Sequence, residues 1–149
     1  MSLKNNIYIT CINLIEEKIN HLQTLLHDLR TGSANDAKSS AGDKHETAKA
    51  MMQMEHEKIS RQLHEVLLQK EVLNNAHLIL TQNKVVNGSL VKTDKGFFYL
   101  TIAIGKITVD GEAVIVLSPQ SPLGIKLMGL KIKDKVQINN VHYLIETID

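Results

Sequence analysis

Two carboxylates, Asp43 and Glu46, stand three residues apart in Gly42-Asp43-Lys44-His45-Glu46-Thr47-Ala48. On a helix, that spacing sends both to one side of the first turn. Such a pair can complete the coordination sphere of a hard cation, because Mg2+ takes oxygen ligands and often binds only one or two protein carboxylates. The same residues also resemble a capping box, with an acidic side chain three positions before a glutamate at a helix start. Acidic groups there are favoured by the helix dipole as well. Spacing alone leaves both readings open, with capping ahead.

The other reactive side chains are less promising. There are seven histidines: His21, His27, His45, His56, His64, His77 and His142. No two of them are four apart, the spacing that puts two imidazoles on one helix face, and there is no H-E-x-x-H. Surface or seam positions are expected for them. The one cysteine, Cys11, sits in an apolar helical run where a buried, inert thiol is expected. There is no G-x-S-x-G for a serine nucleophile and no Gly-rich phosphate loop.

The elements that would carry the acidic pair change character near residue 80. Before it, Tyr8, Ile12, Ile15, Ile19, Leu22, Leu26 and Leu29 recur in alternating steps of four and three, which is a heptad seam. The small, polar stretch of residues 31–42 is expected to break that helix. A second helix is expected from about Asp43, with Met52, Ile59, Val66 and Leu73 every seven residues and Leu63 and Leu67 beside them. Glu55, Gln62, Gln69 and Lys70 interrupt this second seam. Two such helices joined by a short break can lie antiparallel, each burying its seam on the other. Nearly 30 residues of helix span about 45 Å, so the acidic pair would sit at the tip of a rod.

After residue 80 the period becomes two. Residues 97–104 read as a strand. Residues 107–109 run into Asp110-Gly111, a tight-turn signal, with residues 112–117 as its partner. Residues 135–138 and 141–145 read as a hairpin turning at Asn139-Asn140. Pro122 just inside a helix start and Gly129 beyond its end frame one or two helical turns. The expected organisation is α+β: residues 1–80 form an antiparallel coiled-coil hairpin, and residues 81–149 form a small β-rich domain with one short helix.

Composition narrows the function classes. The chain has 149 residues, 43% hydrophobic and 22% charged, with a formal net charge of +1. No global basic field favours naked nucleic acid. Aromatics are only 3%, with no tryptophan, which removes stacking platforms and most aromatic-lined pockets. One cysteine excludes an internal disulfide and a cysteine-rich zinc site. No run reaches the ~20 apolar residues of a membrane span. The apolar run at residues 7–15 contains Thr10 and Asn13 and is followed by Glu16 and Glu17 with no small-residue cleavage site, so it reads as a helix rather than a signal peptide. A cytoplasmic location is expected.

Two motifs, taken in order, resemble those of the GreA/GreB transcript-cleavage factors of bacterial RNA polymerase. Gly42-Asp43-x-x-Glu46-x-Ala48 is similar to that family's tip motif G-D-x-x-E-N-A. Ser121-Pro122-Leu123-Gly124-Ile125-Lys126-Leu127-Met128-Gly129, followed by Asp134-Lys135-Val136, is similar to its S-P-x-x-x-x-L-(I/L/M)-G segment and D-x-V. The order of helical hairpin, acidic tip and β-rich domain also matches. Close motif identity covers about 25 residues.

The resemblance implies a C-terminal domain of FKBP-like fold, including residues 118–130, that docks at the mouth of the polymerase secondary channel. It implies a coiled coil that enters the channel, so that Asp43 and Glu46 help hold a second Mg2+ in the polymerase active centre and stimulate cleavage of backtracked RNA. On that reading the protein is a transcription elongation factor and not itself an enzyme. It binds no cofactor tightly, meets DNA only through the polymerase, has no membrane partner, and is a monomer. The tip departs from the family at Thr47, where asparagine is common, at Lys49, commonly acidic, and at Ala50, commonly aromatic. These changes suit a Gre-fold channel regulator without cleavage activity as the nearest alternative. Two further alternatives are a coiled-coil adaptor or homodimer and a prolyl isomerase. The isomerase is disfavoured because Phe97, Phe98 and Tyr99 alternate along one strand and cannot all line one pocket.

Overall fold

The computed structural model describes residues 2–36, 43–79 and 83–149. Two long helices open the chain, α1 (Leu3–Asp36) and α2 (Asp43–His77). Six strands and a short helix follow: β1 (Leu90–Thr93), β2 (Gly96–Leu100), β3 (Gly105–Val109), β4 (Glu112–Leu117), α3 (Pro122–Leu127), β5 (Lys135–Ile138) and β6 (Val141–Ile148). The architecture is therefore α+β, with two long N-terminal helices before a six-stranded mixed sheet. No helix among the described residues is long and apolar enough to cross a membrane.

The chain divides into two compact units: Met1–Ile12 together with Lys70–Asp149, and Asn13–Gln69. In the second unit the heptad pattern becomes packing. Leu22, Leu26 and Ile59 are buried together, and Leu25, Leu29, Leu63 and Val66 pack against them. Gly32 on α1 passes Met52 on α2, which continues the antiparallel pairing. The expected break at Thr31 is corrected: α1 runs on to Asp36. Thr31 explains part of this, because its Oγ1 donates to the His27 carbonyl four residues back. A threonine satisfied in this way sits inside a helix without ending it. Residues 37–42 of the expected break lie outside the described residues.

The α2 seam is regular, but polar residues occupy part of it. Met52, His56, Ile59, Leu63, Val66, Lys70, Leu73 and His77 are all buried or half-buried, while Leu67 is 44% exposed. Lysine and histidine fit such positions by laying an apolar body along the seam and keeping the polar tip wet.

In the first unit the sheet order is β3-β4-β2-β1-β6-β5. The β2–β4 pair is parallel and the other neighbours are antiparallel. One core gathers Val85, Val91, Phe98, Leu100, Leu117, Leu127, Val136 and Ile145. Tyr99, next along β2, points to the other face and is fully buried. There it lies beside Tyr8 and Cys11 of α1, and burial, followed by those two groups, pushes its phenol pKa up. The Tyr8 hydroxyl donates to Asn74 Oδ1 at 2.6 Å, and its ring stacks on His77 at 3.7 Å.

One strand expectation is adjusted, and β1 is a strand that the sequence reading did not include. The run at residues 97–104 stops being a strand after Leu100, where the Thr101 and Ile104 amides turn to the Leu117 and Val116 carbonyls. Strand β1 carries an exposed lysine among four residues and gives little alternation to read. The turns at Asp110-Gly111 and Asn139-Asn140 do adopt positive φ at both residues where the hairpins reverse, as the tight two-residue turn requires.

Candidate functional site

The acidic pair opens α2. Asp43 is the first residue of that helix, and its side chain lies outside the described residues, as do Gly42 and the side chains of Lys44 and His45. Glu46 is described and exposed, and every side chain from 46 to 51 is exposed as well. Met52 is the first residue of this stretch to turn into the seam. The helix start thus presents Glu46, Thr47, Lys49 and Ala50 to solvent on a scaffold held by the seam further along. An exposed carboxylate such as that of Glu46 is of the hard-oxygen type that Mg2+ takes as a ligand. Among the described residues no group of three or more His, Cys, Asp or Glu side chains could hold a metal ion.

The second motif builds the α3 corner, and most of its residues have a structural task. Ser121 caps α3, its Oγ accepting from the Gly124 amide at 3.1 Å and donating to the Ser118 carbonyl at 2.6 Å. Pro122 fills the first helical position, where its missing N–H costs nothing. A Cβ on Gly124 would stand 2.1 Å from the Ser118 carbonyl oxygen, so only glycine fits. Leu127 and Val136 belong to the core. Asp134 closes the following loop, its carboxylate accepting from the Lys131 amide at 2.7 Å. Ile125, 64% exposed, and Met128, 36% exposed, are the large apolar side chains of the motif that face solvent.

Cys11 is fully buried, and burial pushes its thiol pKa up to about 12. A thiol so protonated is a poor nucleophile at neutral pH. Phe98 is 2% exposed and Tyr99 fully buried, so neither walls an open pocket. The groove of about 270 Å³ between Lys18, His21, Leu22, Gln62, Glu65 and Val66 on the helical pair offers no hydroxyl or thiol nucleophile.

Sequence reading missed the pairing of Lys84 with Lys131, which an antiparallel bridge sets side by side. The 46 residues between them hide it, and only the lysine-rich run at 131–135 hinted at it. Neither a protein-family model, nor a curated protein, nor a solved structure matches the chain.

Proposed function

We propose that this protein is a Gre-like transcription elongation factor that binds RNA polymerase and stimulates cleavage of backtracked RNA. The observation that supports the reading is the exposed Glu46 in the first turn of α2, on a long antiparallel helical pair. A second helix of 35 residues spans on the order of 50 Å, long enough to carry carboxylates down a channel to a remote active centre. In this reading the β-rich half is an FKBP-like docking domain, and the helical pair enters the secondary channel. Asp43 and Glu46 offer the hard oxygen ligands that suit Mg2+ within the polymerase, where the bound ion activates water and stabilises charge on the phosphate. Their own task is to bind and orient. The polymerase supplies the catalytic site, and the protein alone has no hydrolytic activity.

A second reading, a channel regulator without cleavage activity, is favoured by Thr47, Lys49 and Ala50, which stand exposed around Glu46. The isomerase reading loses ground because Phe98 and Tyr99 of β2 are spent on packing. The adaptor reading loses ground because Leu22, Leu26 and Ile59 bury their seam within one chain.

The experiment is to add wild-type protein or the Asp43→Ala/Glu46→Ala variant, with Mg2+, to backtracked elongation complexes carrying labelled RNA. Shortening of the RNA with wild type and not with the variant is expected. Binding without shortening would select the regulator reading. Failure of the wild type to bind polymerase would overturn both and return the protein to the adaptor class.

A further inference from the structure

We infer that the outward face of α2 pairs two copies of this chain, with their α2 helices antiparallel about a two-fold axis. The seam of α2 is taken up within the chain, where Ile59, Leu63 and Val66 pack with Leu22 and Leu26 of α1. A second stripe runs along the side turned away from that seam, at the same alternating steps of three and four. It consists of Met54, Lys58, Arg61, Glu65, Leu68 and Val72, all exposed. Met54 is 69% exposed and Leu68 47%. The outward side of such a helix ordinarily carries polar residues. Here the charges fill only the middle, and large apolar side chains stand at both ends, which marks a face that another surface covers.

The stripe is complementary to itself. In a two-fold pair each copy offers the same patch, so the patch must match its own reverse. Antiparallel helices with this spacing have two registers centred on the charges, one heptad apart. In the first, Lys58 stands level with the second copy's Arg61, and Met54 with its Glu65. That sets cation against cation and an apolar side chain against a carboxylate. In the second, Arg61 stands level with the second copy's Glu65, Lys58 with its Leu68, and Met54 with its Val72. Symmetry makes each of these pairs twice. The Lys58 stem lies along Leu68, and its ammonium points toward the second copy's Glu65 one turn away. Charge thus selects the second register. The groups it needs are not engaged elsewhere: Lys58, Arg61 and Glu65 form no ion pair among the described residues, although Arg61 and Glu65 are four apart on one helix. The contact is short and partly charged, so the dimer is weak and comes apart on dilution. It leaves the seam intact, unlike an adaptor that joins chains through the seam. It does not rest on the polymerase reading; under that reading, a second copy along α2 keeps the helical pair out of a channel.

Sedimentation velocity on the full chain, from about 5 to 200 µM at about 0.1 M salt, tests this. Wild type is expected to pass from monomer to dimer over that range. Arg61→Glu sets carboxylate against carboxylate at both central pairs and is expected to weaken the dimer roughly tenfold or more. Arg61→Glu/Glu65→Arg exchanges the charges, restores both pairs, and is expected to return the dimer to within about threefold of wild type. Met54→Gln/Val72→Gln is expected to weaken it with the charges in place. Lys106→Glu, on β3, changes net charge as Arg61→Glu does and is expected to leave the dimer as it is. All these positions are exposed, so the variants keep the fold. A chain that stays monomeric throughout would overturn the inference. So would a dimer that ignores Arg61→Glu, or one that the charge exchange does not restore. Polymerase is absent from the experiment, so failure here leaves the polymerase reading to its own test.

Discussion

Asp94 shows how one side chain can hold a corner of the sheet without being buried. Its Oδ1 accepts from the Leu144 amide at 2.9 Å, which joins the β1–β2 turn to β6. That backbone hydrogen bond is the main cause holding its carboxyl below the usual range, with help from Lys95 against a small opposing effect of burial. The folded pKa is thus lower than the unfolded one, which lies near 3.9 for a free aspartate. The stabilisation is fully present above the unfolded value and is lost as pH falls through the folded one. Asp94→Ala should therefore lower Tm at pH 7, and the gap to wild type should close as melts are repeated down to about pH 3. Asp94→Asn, which keeps an acceptor oxygen, should fall between the two at pH 7. A gap that stayed constant with pH would show that the loss is not electrostatic.

At the scale of elements, the two seams differ in how openly they are written. The α1 seam is apolar from Tyr8 to Leu29, so its period reads directly, and Ile15, Ile19, Leu22 and Leu26 are buried as that period requires. The α2 seam places His56, Lys70 and His77 among its inward positions, and a hydrophobic pattern cannot register a residue that buries only part of its side chain. That is why Leu67 reads as a seam neighbour yet faces solvent. Ile59→Ala should cost about 2–5 kcal/mol, since Ile59 is 5% exposed between Leu22 and Leu26. Leu67→Ala should stay within about 0.5 kcal/mol. Urea melts of the two variants check this, and comparable losses would mean that Leu67 is covered in solution. In the β-rich half, β4, the two hairpin turns and α3 were legible because their signals are local. The sheet order was not, because the parallel β2–β4 pair and the Lys84–Lys131 bridge join residues far apart in the chain. The acidic pair was legible as a spacing, but the same spacing serves a cap and a metal, so its meaning came from its place in a larger pattern.

For the whole molecule, the proposed function separates binding from chemistry, and competition can test that separation. Docking is proposed for the β-rich half, while the carboxylates open α2, more than 40 residues before the first strand. Asp43→Ala/Glu46→Ala removes charge at exposed or terminal helix positions and leaves the buried seam from Met52 onward untouched. The variant should therefore fold, bind polymerase like the wild type and block it. At about threefold excess over wild type, equal affinities leave roughly a quarter of the polymerase holding an active factor. Initial cleavage rates of backtracked RNA should fall by that proportion at saturating total factor. If the tip variant fails to compete although it is folded and monomeric, the carboxylates contribute to binding itself, and the division between a docking domain and a catalytic tip does not hold for this protein.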